Sequence, residues 1–212
     1  MIKQVFYDVS QTLAPEIIVY PGDPAVQIEQ AMSIAKGDIV NLSQISMGNH
    51  TGTHVDAPKH FYNQGRTIPE IPLESFIGPA KVFEFIDQPA ISKTHLQSCN
   101  IQKGDRILLK TKNSVLLQKT EFDPSYAYLT PDAAAYLVEI GICTLGFDYL
   151  TIDPYGSKDF KAHYALLRAE IVIIEGINLA DIQPGEYQMV ALPLKLYDGN
   201  GSPARVVLIR EE

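Results

Sequence analysis

Short apolar stretches separated by turn residues dominate the hydropathy pattern of this chain. Segments 5–13, 26–34, 40–47, 80–86, 105–111, 143–150, 171–176, 187–196 and 204–210 are rich in β-branched or aromatic residues, and turn formers bound most of them. That is the pattern of strands. Some alternate: in 40–47, Val40, Leu42 and Gln44 share one side, while Asn41, Ser43 and Ile45 share the other. The run 171–176 is instead apolar throughout until Glu175, as suits a strand covered on both faces. Helical patterns are fewer. Residues 130–141 open on Thr130 as a cap with Pro131 in the first turn and close on Gly141. Residues 162–169 and 91–98, the latter capped by Ser92, predict two shorter helices. No repeat or linker divides the 212 residues, so the expectation is one α/β domain, 1–212, with mixed sheet and few helices.

Composition narrows the function classes. A net charge of −8 and no Lys/Arg block argue against a nucleic-acid surface. No apolar run approaches the roughly 20 residues that span a bilayer. Asp8 and its polar neighbours stand where a signal peptide needs an apolar core, so the sequence reads as cytoplasmic, without membrane partners. Cys99 and Cys143 are far apart and outside any CxxC pair; both are expected to be buried, reduced and structural.

Against that ordinary background, residues 48–61, GNHTGTHVDAPKHF, hold three of the five histidines. His50, His54, Asp56 and His60 are all even-numbered and would share one face of an extended chain. A helix is opposed by Thr51, Gly52, Thr53 and Val55, and Pro58 would break its continuation. On a straight strand His50 and His54 would lie about 13 Å apart, too far for two ligands of one ion. A bend at Gly52 is therefore predicted, with His54 and Asp56 as neighbouring ligands. Two imidazoles and a carboxylate suit Zn²⁺, with Mn²⁺ or Fe²⁺ as alternatives, and three protein ligands with a free position describe a catalytic metal.

The stretch HTGTHVDAPKH also resembles the H-x-G-T-H-x-D-x-P-x-H signature of the metal-dependent cyclase/hydrolase family of the bacterial kynurenine formamidase type, with every fixed position present. The likeness extends to DVSQTLAPEIIVYPGDP near the start, FKAHYALLRAEIVIIEGINL and DGNGSPARVVLI. It implies a swivelling β/β/α fold assembled as a homodimer or larger oligomer. It implies that His50, His54 and Asp56 hold a first metal, and that Asp56, His163 and Glu175 hold a second. It implies His60 as the catalytic acid/base, with a third-ligand or hydrogen-bonding role as the alternative. From the residues alone, His163 is unremarkable, whereas Glu175 ends an apolar strand and needs a cation or hydrogen bonds there. Glu170, before the strand, can face solvent.

The implied reaction is hydrolysis of an amide C–N bond by a metal-activated water, foremost the formamide of N-formylkynurenine, with His60 moving the protons. Pro58, between Asp56 and His60, would turn the chain and set His60 apart from the ligands. In the likeness, the loop VYPGDP supports an aryl substrate. Kynurenine formamidases commonly carry Trp in that loop, whereas this chain has Tyr20 and no Trp. A cyclic amide such as an isatin-like lactam, or another carbonyl substrate, is the alternative. A non-catalytic cupin-like metal binder fits less well, because cupins pair their histidines as HxH rather than HxxxHxD.

Overall fold

The computed structural model describes residues 3–211. Twelve strands and four α-helices occur among them: β1 (Gln4–Asp8), β2 (Gln27–Met32), β3 (Leu42–Ser46), β4 (His54–Asp56), β5 (Ile77–Glu84), β6 (Ala90–Ile91), α1 (Lys93–Gln97), β7 (Arg106–Lys110), α2 (Asn113–Leu116), β8 (Tyr128–Leu129), α3 (Pro131–Ile140), β9 (Thr144–Phe147), α4 (Lys161–Arg168), β10 (Val172–Glu175), β11 (Gly185–Pro193) and β12 (Gly201–Glu211). The predicted strands and helices are present, most of them trimmed at their ends. Thr130, Pro131 and Gly141 bound α3 as expected, Gly141 at φ +76°.

One eight-stranded sheet runs β1-β12-β11-β5-β7-β9-β10-β4, and β4 also pairs with β12. That second pairing closes seven of the strands into a barrel and leaves β1 appended outside. Strands β5, β7, β9 and β10 are mutually parallel; the remaining pairs of this sheet are antiparallel. Closure removes the exposed edges that a strand as short as β4 could not otherwise protect.

Side-chain alternation then makes two cores. Ala80, Val82, Leu108, Val172, Ile174, Met189, Ala191, Val206 and Leu208 fill the barrel with Val55. Ile107, Leu109, Leu145, Phe147 and Ile173, one residue out of phase, face outward and pack under α1, α3 and α4. Two β walls and a helical layer give the β/β/α arrangement. The apolar run of β10 is thus explained: both faces of that strand are covered, one by the barrel interior and one by helices.

Asp148, just after β9, ties the end of β9 to the end of β7. It is fully buried and accepts from the Thr111 N–H (2.7 Å), the Thr111 hydroxyl (2.8 Å), the Ser114 N–H (3.1 Å) and the Ser114 hydroxyl (2.7 Å). Burial raises its pKa to about 6 even against these donors.

Two expectations change. Strands β2 and β3 form a separate two-stranded ribbon, bulged between Gln30 and Met32, and β3 is exposed throughout. The alternation in 40–47 therefore does not mark a core face; both sides meet solvent. Cys99 and Cys143 are free as expected but only half-buried, Cys99 lying just beyond α1 and Cys143 just before β9, outside both elements.

Replacing Asp148 by Ala should strand the buried Thr111 and Ser114 donors and cost about 3 kcal/mol or more. Denaturant unfolding checks this, and a variant within about 1 kcal/mol of wild type would contradict the role given to Asp148.

Candidate metal centre

The outward face of β4 and β10 is where the sequence's unusual residues meet. In the antiparallel register His54 lies opposite Glu175, and Asp56 opposite Ile173. Val55 points into the barrel, so His54 and Asp56 on either side of it must point out, as does Glu175 beside Ile174. All three are at most 2% exposed. Helix α4 covers them and adds His163 from its first turn, 3% exposed.

Hydrogen bonds fix how each imidazole is presented. The His54 Nδ1–H donates to the Gly52 carbonyl at 2.9 Å, which leaves Nε2 facing Asp56 Oδ1 (3.4 Å) and Glu175 Oε2 (3.4 Å). The His163 Nδ1–H donates to Asp153 Oδ2 at 2.6 Å, which leaves Nε2 facing Glu175 Oε1 (3.2 Å) and Asp56 Oδ2 (3.6 Å). Asp153 also accepts the backbone N–H groups of Ala162 and His163 at 3.0 and 3.1 Å. One carboxylate thus caps α4 and sets the tautomer of its histidine, the support commonly found behind ligating imidazoles. Glu175 Oε1 accepts from the Ile152 N–H at 2.8 Å.

His50 and His60 reach the same place by turns rather than on the strand. Gly52 adopts φ +64°, the bend the sequence calls for, and returns His50 toward Asp56. His50 Nε2 lies 2.9 Å from Asn200 Oδ1 and Nδ1 lies 2.6 Å from Asp56 Oδ1. Pro58–His60 form a single 3-10 turn. The sequence reading has Pro58 carry His60 away from the ligand set. The turn instead folds His60 back onto His50, the rings stacked with centroids 3.9 Å apart. Glu170, by contrast, is exposed and pairs with Arg66 at 3.1 Å.

Electrostatics follow from two carboxylates held in a buried wall. Burial alone would lower the His54 pKa, but Asp56 and Glu175 outweigh it and raise it to about 10. His163 is likewise raised well above the usual histidine range, burial being outweighed by Glu175, Asp153 and Asp56. Asp56 is lowered well below the usual carboxylate range: burial opposes this, and His50, His60 and His163 drive it. His60 sits at the exposed rim, yet protein crowded on its inner side lowers its pKa to about 4 against the pull of Asp56.

A divalent cation suits this arrangement. Asp56 Oδ2 is buried with no hydrogen-bond partner among the described residues, an orphan that a cation would satisfy. Ligand atoms of His54, Asp56 and Glu175 lie within 4.8 Å of one another, as do those of His50, Asp56 and His60, so Asp56 belongs to both groups. All five expected ligands and His60 line or adjoin one cavity of about 250 Å³, walled by Tyr20, Phe61, Leu150, Thr151 and Phe160. Phe61 stacks on His163 at 4.9 Å.

A family model described as "Putative cyclase" matches residues 7–154, which include the histidine-rich stretch and Asp153. The chain belongs to that family. A kynurenine formamidase of Geobacillus thermodenitrificans is 37% identical over 201 residues, 95% of each chain, and so spans His163 and Glu175 as well. A solved structure described as a potential metal-dependent hydrolase with cyclase activity matches with a TM-score of 0.87 at 36% identity, over 99% of this chain and 100% of that one. Isatin hydrolase A from Labrenzia aggregata matches with a TM-score of 0.86 at 25% identity, over 99% and 94%. The family read from the HxGTHxDxPxH signature is the family found.

Asp153 and Asn200 escaped the sequence reading. Neither lies in a histidine-rich segment, and only Asp153's position ten residues before His163 hinted at a partner.

The Gly201 Cα faces the His50 ring so closely that a Cβ would run into it. Gly201→Ala should therefore turn His50 away, cost about 1–3 kcal/mol, and shift the imidazole NMR signals of both His50 and His60. Unchanged signals would show that the strand does not seat the ring.

Proposed function

We propose that this chain is a metal-dependent amidohydrolase that cleaves the formamide of N-formylkynurenine to kynurenine and formate, a step of tryptophan breakdown. The observation that carries it is the orphaned, buried Asp56 carboxylate facing imidazoles at the base of an aromatic-walled cavity. Kynurenine formamidase relatives covering 95% of the chain support the substrate. The isatin hydrolase likeness supports a cyclic aryl amide as the second reading.

In this reading His50, His54 and Asp56 hold one ion, and Asp56, His163 and Glu175 hold another. Glu175 reaches toward both His54 and His163, so its two oxygens can serve both positions. The imidazole and carboxylate donors suit Zn²⁺, with Mn²⁺ accommodated by the same set. Bound there, the cations would activate a water near neutral pH and polarise the substrate carbonyl.

The chain's own groups do the rest. Phe61, Phe160 and Tyr20 offer faces and edges to an aryl ring, which orients the formamide toward the carboxylate cluster. His60, at the rim and neutral at pH 7, accepts a proton from the attacking water. It then delivers that proton to the aryl nitrogen as the C–N bond breaks, so that formate and a neutral amine leave. Asp153 keeps His163 turned with Nε2 inward. Among the described residues no helix is long and apolar enough to cross a membrane. A cytoplasmic homodimer acting on a small aryl amide, without nucleic-acid partners, completes the proposal.

The test is formate release from N-formylkynurenine, with isatin in parallel, after loading with Zn²⁺ or Mn²⁺. Metal-dependent release is expected, and His60→Ala should lose about 10²-fold or more in kcat while keeping its metal. Loss of metal in His60→Ala would make it a ligand instead. Hydrolysis of neither substrate by the metal-loaded protein would overturn the function.

A further inference from the structure

The cavity that holds the candidate metal centre has a charged residue the proposed chemistry does not use. Tyr20 and Asp23 lie on one turn, the Asp23 N–H donating to the Tyr20 carbonyl at 3.0 Å, and both line the cavity. Asp23 is solvent-exposed at its mouth. Its carboxylate has no hydrogen-bond or ion-pair partner among the described residues. Among the described residues no Lys or Arg lines the cavity to neutralise it. A free anion beside the aromatic that would carry a substrate ring is placed to read what that ring bears.

Resting on the amidohydrolase reading, we propose that Asp23 is a specificity residue that favours aryl amides bearing an ammonium group on the arm that extends to the cavity mouth. An aryl amide whose carbonyl points at the buried carboxylates lays its ring between Tyr20 and the Phe61–Phe160 wall. A substituent on the outer side of that ring then meets Asp23 before it meets solvent. An ammonium there gains an ion pair; a neutral lactam such as isatin gains nothing, and a carboxylate-only arm is repelled. The same free charge thus separates the two substrates that the fold alone leaves level, because an amino-acid arm is present on N-formylkynurenine and absent from isatin. At a solvated rim the gain is modest and sensitive to salt.

Binding of three product-like amines to the metal-loaded protein tests this by calorimetry without requiring turnover. Kynuramine carries an ammonium arm, kynurenine an amino-acid arm, and 2-aminoacetophenone no arm. Asp23→Asn should weaken kynuramine about three- to fivefold, kynurenine by less, and 2-aminoacetophenone not at all. Raising ionic strength should weaken kynuramine binding to wild type and leave the variant unaffected. Equal weakening of all three would make Asp23 a support of the turn, and no weakening of any would leave it without a role; either result overturns the proposal. Hydrolysis of N-formylkynurenine is read separately, so failure of the amidohydrolase reading cannot be mistaken for failure of Asp23.

Discussion

Two carboxylates cannot be buried side by side in an apolar wall without compensating positive charge, and this chain buries Asp56 and Glu175 against each other's imidazole partners. The elements around the site serve that constraint. The barrel closes through β4, a strand of only three residues, and its antiparallel pairing with β10 is what sets His54 opposite Glu175. Without the pairing of β4 to β10, the two acids would not share a face. Asp56 and Glu175 accordingly hold the pKa values of His54 and His163 up, which favours protons on those imidazoles as the compensating charge. A divalent cation would supply the same charge and displace those protons, so its binding would strengthen as pH rises.

The outer helical layer gives the centre its precision. Asp153 accepts from two backbone N–H groups of α4 and from the His163 ring at once, so helix docking and the orientation of that imidazole are one event. On the other side, the Gly52 bend supplies the carbonyl that holds His54 and returns His50 to Asp56. Paired strands and hydrogen-bonded turns thus position the clustered side chains, the support that a preorganised site requires.

Much of this was legible in the residues. Strand and helix positions followed from β-branched runs and from the Thr130–Pro131–Gly141 punctuation, and the bend at Gly52 followed from the reach of two imidazoles. Glu175 announced itself by ending an apolar strand. Other features depend on contacts distant in sequence. Asn200 meets His50 across 150 residues, and nothing local marks it. Pro58 signals a turn but not its direction, which is why His60 came to rest on His50 rather than apart from it. Alternation in 40–47 signals a strand but not what covers it, so the ribbon of β2 and β3 lay beyond the pattern's reach. The site's membership of the putative cyclase family was carried by one eleven-residue signature, because a metal centre constrains spacing more tightly than a core does.

Asp56 is the one carboxylate that both proposed ions would share. Metal content per chain after Zn²⁺ loading, measured on wild type, Asp56→Asn and Asp56→Ala that retain the wild-type circular dichroism, tests it most directly. Two ions per chain in wild type and essentially none in Asp56→Ala, with Asp56→Asn much reduced, is the predicted result. An Asp56→Ala protein that keeps its metal would show that Asp56 is not the shared ligand.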